Sequence, residues 1–140
     1  MNLKKSRVLR RLGVTFTITG LLLFAFLFEV GRYSRWTGSI IIPVVVSFLL
    51  SFLFFYFTYV NTGLWGFSHK KLEEYDEREL VIVSSAARVA YVLFTITVLL
   101  VILVYAAWEI RMSMIVVFVL GVLAHLLPQS VIAWQEKKIY

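Results

Sequence analysis

The stretch KLEEYDERELVIVSSAARVAYVLF, residues 71–94, decides how the rest of the chain is read. It begins as a charged, water-facing segment and turns apolar after Leu80. From Val81 to Ala107 the only charge is Arg88. A helix on the surface of a soluble protein keeps a polar face along its whole length. This one abandons it for longer than the roughly 20 residues that cross about 30 Å of hydrocarbon. The chain therefore passes here from water into lipid.

Three other stretches have the same character, so the spacing predicts spans at about 12–30, 40–60, 81–107 and 112–134. The composition agrees. The protein has 140 residues and is 61% hydrophobic, whereas a soluble domain is nearer half apolar and one this small lacks the volume to hide the excess. Connections such as EVGRYSRWTGS and WEIRM are short, which forces consecutive spans to be antiparallel neighbours. The expected fold is an all-α, four-transmembrane-helix antiparallel bundle forming a single membrane domain over 1–140, with one sizeable loop at 61–80. The first stretch has a basic start but no small-residue cleavage pattern after it, and reads as a retained helix.

Charge sets the orientation. Lys4, Lys5, Arg7, Arg10 and Arg11 precede the first span, Lys70, Lys71 and Arg78 lie between the second and third, and Lys137 and Lys138 follow the fourth. The other connections hold only Arg32, Arg35 and Arg111. The positive-inside rule then puts both termini and the 61–80 loop in the cytoplasm, as expected of a multi-pass protein of the cell membrane. Trp36 and Trp108 fall at the outer boundary and Trp65 and Trp134 at the inner one, where indole is favoured. The basic N-terminus reads as a topology signal and a contact for anionic lipid. Without a folded basic module, no nucleic-acid partner is expected.

Small and polar residues mark helix contacts in lipid, and each span has a stripe of them: Gly13, Thr17 and Gly20; Pro43, Ser47, Ser51 and Thr58; Ser84, Arg88, Tyr91 and Thr95; Gly121, His125 and Gln129. Steps of three and four keep each set on one helix face, so the four stripes are expected to share one interior. Arg88 lies about 10 Å past Val81, and His125 about 13 Å from Trp134. Three readings stand for Arg88: an intramembrane polar cluster with His125 and Gln129, in which it bonds Gln129 or carbonyls freed near Pro128; snorkelling to the headgroups; or the lining of a transport path. His125 reads as a packed histidine rather than a ligand, since metal sites need several ligands.

The 61–80 loop is the only sizeable element outside the spans. Asn61, Gly63 and Gly66 permit a turn after the second span. Either Ser68 or Asp76 caps the next helix, Asp76 with Glu79 three residues on in a capping-box pattern. Starting at Ser68, the helix runs unbroken from the cytoplasm and pairs Glu74 with Arg78 at i,i+4. Glu73, Glu74, Asp76, Glu77 and Arg78 then form either a solvated helix start or a docking surface for another protein. Glu29, Arg32, Arg35, Glu109 and Arg111 gather at the outer face, where they fix helix ends rather than bind substrate.

The chain has no cysteine, which removes disulfides and thiol chemistry. No phosphate-binding glycine loop, His-x-x-x-His pair or nucleophile elbow is present. His69 and Glu73 are spaced i,i+4, a weak pair for a metal on its own. No catalytic residue, metal or cofactor is expected.

The run YDERELVIVSSAARVAY, residues 75–91, carries Asp76, Glu77 and Arg78 before the third span and Ala86, Ala87, Ala90 and Tyr91 within it. It resembles a family of small bacterial and archaeal four-span membrane proteins with an Asp-Glu-Arg motif before the third span. The resemblance implies the same architecture and a prokaryotic cytoplasmic membrane; it implies no role for any residue. The expected function is a non-enzymatic membrane component that binds a partner through the 61–80 loop or assembles with copies of itself. The alternative is a small oligomeric transporter or channel with its pathway near Arg88 and His125.

Overall fold

A computed structural model describes residues 3–135. Lys137 and Lys138 lie outside the described residues, as do the side chains of Lys4 and Lys5. The chain is a multi-pass, all-α membrane bundle built on four long helices: α1 (Leu3–Ser34), α2 (Gly38–Phe55, continued by a π-helical turn, Tyr56–Val60), α4 (Glu77–Ala107) and α5 (Met114–Gln135). A short helix, α3 (Leu64–Ser68), and a 3₁₀ turn at Leu72–Glu74 lie between α2 and α4.

The helices pair as two antiparallel hairpins, α1 with α2 and α4 with α5, and the hairpins join through α1 and α5. The first hairpin closes because the expected stripes mesh. Gly13 lies against Thr58 and Gly20 against Ser51, with Phe16 stacked on Phe54 (5.0 Å) and Phe24 against Phe48 (5.2 Å). Both the glycines and their partners recur at seven residues, the period of a left-handed coil. Thr17, Ser47, Ser51 and Thr58 are buried along it. The hydroxyls of Thr17, Ser47 and Ser51 turn back onto their own helices: Thr17 donates to the Gly13 carbonyl (2.8 Å), Ser47 to that of Val44 (2.9 Å) and Ser51 to that of Ser47 (2.6 Å). These residues therefore serve by being small, not by bonding across the interface.

The second hairpin is built differently. On α5 the buried residues Val116, Val119, Leu123, Leu126, Ser130 and Ala133 alternate steps of three and four, a heptad seam. Val14, Thr17, Leu21 and Phe24 of α1 repeat that rhythm. Against α5, α4 buries only Ile82, Ala86 and Ala90. Its polar stripe faces outward: Ser84, Arg88 and Tyr91 are exposed, and Thr95 is half-buried. The expected common interior of four polar stripes is therefore corrected on this side. Ser84 and Thr95 satisfy their hydroxyls on the carbonyls of Val81 and Tyr91, so exposure to lipid costs them little. The alanines give α4 its close approach.

Polar clamps hold the α1–α5 seam at both ends. At the basic end the Arg11 guanidinium lies over the Trp134 ring, 5.0 Å from its centre, and donates to the Trp134 carbonyl (3.1 Å). At the far end Arg32 pairs with Glu29 (2.9 Å) and donates to the Arg111 carbonyl (3.3 Å). From Arg11 to Arg32 the helix rises about 32 Å, close to the roughly 30 Å of a hydrocarbon core.

Candidate functional site

At the basic end the chain leaves the π-helical turn through Gly63, whose φ of 76° is left-handed and suits glycine. It then folds back, laying α3 along the π-helical turn and α5. Trp65 meets Phe55 edge-on (5.7 Å). Tyr75 donates to the Phe67 carbonyl (2.5 Å), and Lys70 pairs with Glu79 (3.3 Å). The segment between α2 and α4 is thus fastened at two points, Trp65 to α2 and Lys70 to α4, and braced within itself by Tyr75 on Phe67.

Asp76 caps α4, its carboxylate accepting the Glu79 amide (2.6 Å). Of the two possible caps, Asp76 is the one used; Ser68 ends α3 instead. The reason is the competing fold of residues 64–75, whose ties to α5 and α4 prevent one unbroken helix. Glu74 and Arg78 consequently do not share a helix, and neither do His69 and Glu73, so both i,i+4 pairings are lost. Glu73, Glu74, Asp76, Glu77 and Arg78 are all exposed. They form a mostly acidic ridge on the face that carries the basic residues of α1.

Arg88, His125 and Gln129 are not brought together. Gln129 is buried at 2% exposure, while Arg88 and His125 are exposed. Among the described residues Gln129 Oε1 accepts no hydrogen bond, and Arg88 makes none to it or to the backbone near Pro128. Of the three readings of Arg88, interior pairing is therefore corrected. The physical reason is the face on which α4 packs: Ile82, Ala86 and Ala90 are the buried residues of α4, and Arg88 projects from the opposite, exposed side. Among the described residues, the buried side-chain bond between helices joins the Tyr59 and Ser130 hydroxyls (2.8 Å).

His125 has company that sequence spacing did not reveal. Its ring lies 5.8 Å from that of His69 and 5.9 Å from that of Trp65, and His69 stacks on Trp65 at 4.4 Å. His69 Nδ1 is 2.8 Å from the Trp65 carbonyl. A carbonyl only accepts, so Nδ1 carries the proton in the neutral ring. Fifty-six residues separate the two histidines in the chain, and only the fold-back of α3 makes them neighbours.

Cavities open between the helices at both faces. One, of about 810 Å³, lies between α1 and the end of α2 at the basic face, with Arg10, Asn61 and Thr62 at its rim. The other, of about 570 Å³, lies among α1, α4 and α5 at the far face, where Glu29, Tyr33 and Tyr105 join an apolar lining. Neither is lined by Arg88, His125 or Gln129. Comparison with protein-family models, with curated proteins and with solved structures finds no match.

Proposed function

We propose that this protein is a non-enzymatic component of the cytoplasmic membrane that docks a basic partner protein through residues 73–78. The observation that carries this reading is the ridge itself: Glu73, Glu74 and Glu77 are exposed, on a segment fastened by the Asp76 cap, the Lys70–Glu79 pair and the Tyr75–Phe67 bond. A fixed segment loses little entropy on binding. Its charge is opposite to that of the surrounding basic face, so it discriminates among partners and steers a cationic one. The absence of catalytic motifs from the sequence supports a non-enzymatic role, and the positive-inside pattern supports a cytoplasmic position for the ridge.

The test is a Glu73→Lys/Glu74→Lys/Glu77→Lys triple variant that keeps Asp76 and Glu79. Tagged full-length protein is cross-linked in native membranes and recovered. A partner captured by the wild type and lost from the variant, with the melting temperature unchanged, supports docking through the ridge. An identical capture profile overturns it.

Self-assembly is the second reading, favoured by α4. In its most apolar stretch 6% of the residues are buried, against 44% for α5, leaving a long helix face to lipid or to another copy. Co-expressed copies with different tags distinguish this reading, since only self-assembly recovers both tags together.

A further inference from the structure

We propose that the cavity between α1 and α2 at the basic face is a binding site for an anionic phospholipid of the adjoining leaflet. Its walls are apolar, with Leu9, Leu12 and Phe16 from α1 and Leu53, Phe54 and Phe57 from α2 and the π-helical turn. Along α1 from Leu9 to Phe16 the groove runs about 10 Å, much of the roughly 15 Å half-thickness of a hydrocarbon core. Its depth and lining suit an acyl chain. The base is closed where Gly13 touches Thr58, and Phe16 stacked on Phe54 borders its membrane-centre end. The wall on the α2 side contains the π-helical turn, an irregularity that often coincides with functional sites.

The rim supplies the charge. Arg10 stands at the mouth with Asn61 and Thr62, and no acidic residue lines the groove. Arg10 is engaged within the protein, but a guanidinium has five N–H donors and can serve more than one acceptor. The Thr62 hydroxyl is turned onto the Thr58 carbonyl, which leaves Arg10 and the Asn61 amide as the groups to meet a phosphate. Arg7 lies one turn before Arg10 on the same helix and extends the cationic field. An acyl chain in the groove and a phosphate at the rim are the two ends of one molecule, and the positive rim selects the negatively charged headgroup.

This inference is independent of the acidic ridge. Full-length protein in detergent is given dioleoylphosphatidylglycerol or dioleoylphosphatidylcholine, and bound lipid is counted by native mass spectrometry alongside the melting temperature. The wild type should retain one phosphatidylglycerol at least fivefold more often than phosphatidylcholine and melt several degrees higher with it. Arg10→Gln should erase the preference between headgroups. Leu53→Trp, which fills the groove from an exposed wall position, should abolish retention of both lipids, whereas Leu99→Trp on the outer face of α4 should not. Equal retention of the two lipids by the wild type overturns the proposal, as does retention unaffected by Leu53→Trp or a dimer mass in place of the lipid adduct.

Discussion

At Gly13 and Gly20 the missing side chains set the distance between α1 and α2. A Cβ at Gly13 would overlap the Thr58 hydroxyl, and one at Gly20 that of Ser51. Thr58 is 4% exposed and β-branched, so its rotamer cannot yield freely. Gly13→Ala should therefore destabilise the protein by about 1–3 kcal/mol through overpacking, although alanine is the better helix former by about 1 kcal/mol. Combining it with Thr58→Ala, which removes the hydroxyl and methyl that alanine meets, should recover most of the loss. A double-mutant cycle of melting in detergent checks this, and additive losses would show that the two residues do not oppose each other. The two faces that meet here were legible in the sequence because small residues at helical spacing have one main use in lipid, although which residue meets which was not. The place of Arg88 was not. A charge inside an apolar run reads alike whether it turns inward or outward, and only the packing of α4 through Ile82, Ala86 and Ala90 separates the two.

For the elements, what was legible depended on whether local chemistry alone decided the outcome. That four helices are long and apolar enough to cross a membrane followed from the apolar runs. The start of α4 did not, since Ser68 and Asp76 both carry capping side chains and the choice between them was made by α3 folding onto α5. The face of α4 that packs was also hidden: Ile82, Ala86 and Ala90 are buried, while the more conspicuous Ser84 and Thr95 bond to their own backbone. Asp76 now carries the N-terminus of α4 through its 2.6 Å bond to the Glu79 amide. Replacing a capping aspartate by alanine typically costs about 1 kcal/mol, and here the first turn stands outside the apolar span. Asp76→Ala should therefore speed amide exchange at residues 77–80 several-fold while protection at Ala86 and Ala90 is unchanged. Loss of protection along all of α4 would mean that the cap supports the whole helix rather than its first turn.

Across the whole molecule, α5 is the helix on which both hairpins depend. It meets α4 along one flank and α1 along another, and its seam of Val116, Val119, Leu123, Leu126, Ser130 and Ala133 belongs largely to the same core as Val14, Leu21 and Phe24 of α1 and the alanines of α4. The polar residues drew attention to the other side of α5, where Gly121 and His125 are exposed; the seam itself is mostly aliphatic and had no contrast with the lipid-facing leucines around it. Physical contrast returns on mutation. Lipid replaces water around the helices, so burying a leucine gains packing rather than escape from solvent, and a leucine already facing acyl chains has little to lose. Leu126, at 2% exposure, and Leu103, at 63%, carry the same side chain in these two settings. Leu126→Ala leaves a cavity between elements and should destabilise by about 2 kcal/mol or more. Leu103→Ala should leave the melting temperature in lipid nanodiscs within error of the wild type. The Leu126 variant should also expose the seam, so that single cysteines at Leu21 and Leu123, introduced into a chain that has no cysteine, react faster with a membrane-permeant maleimide. Equal effects of the two leucine substitutions would mean that α1 and α5 do not hold the hairpins together.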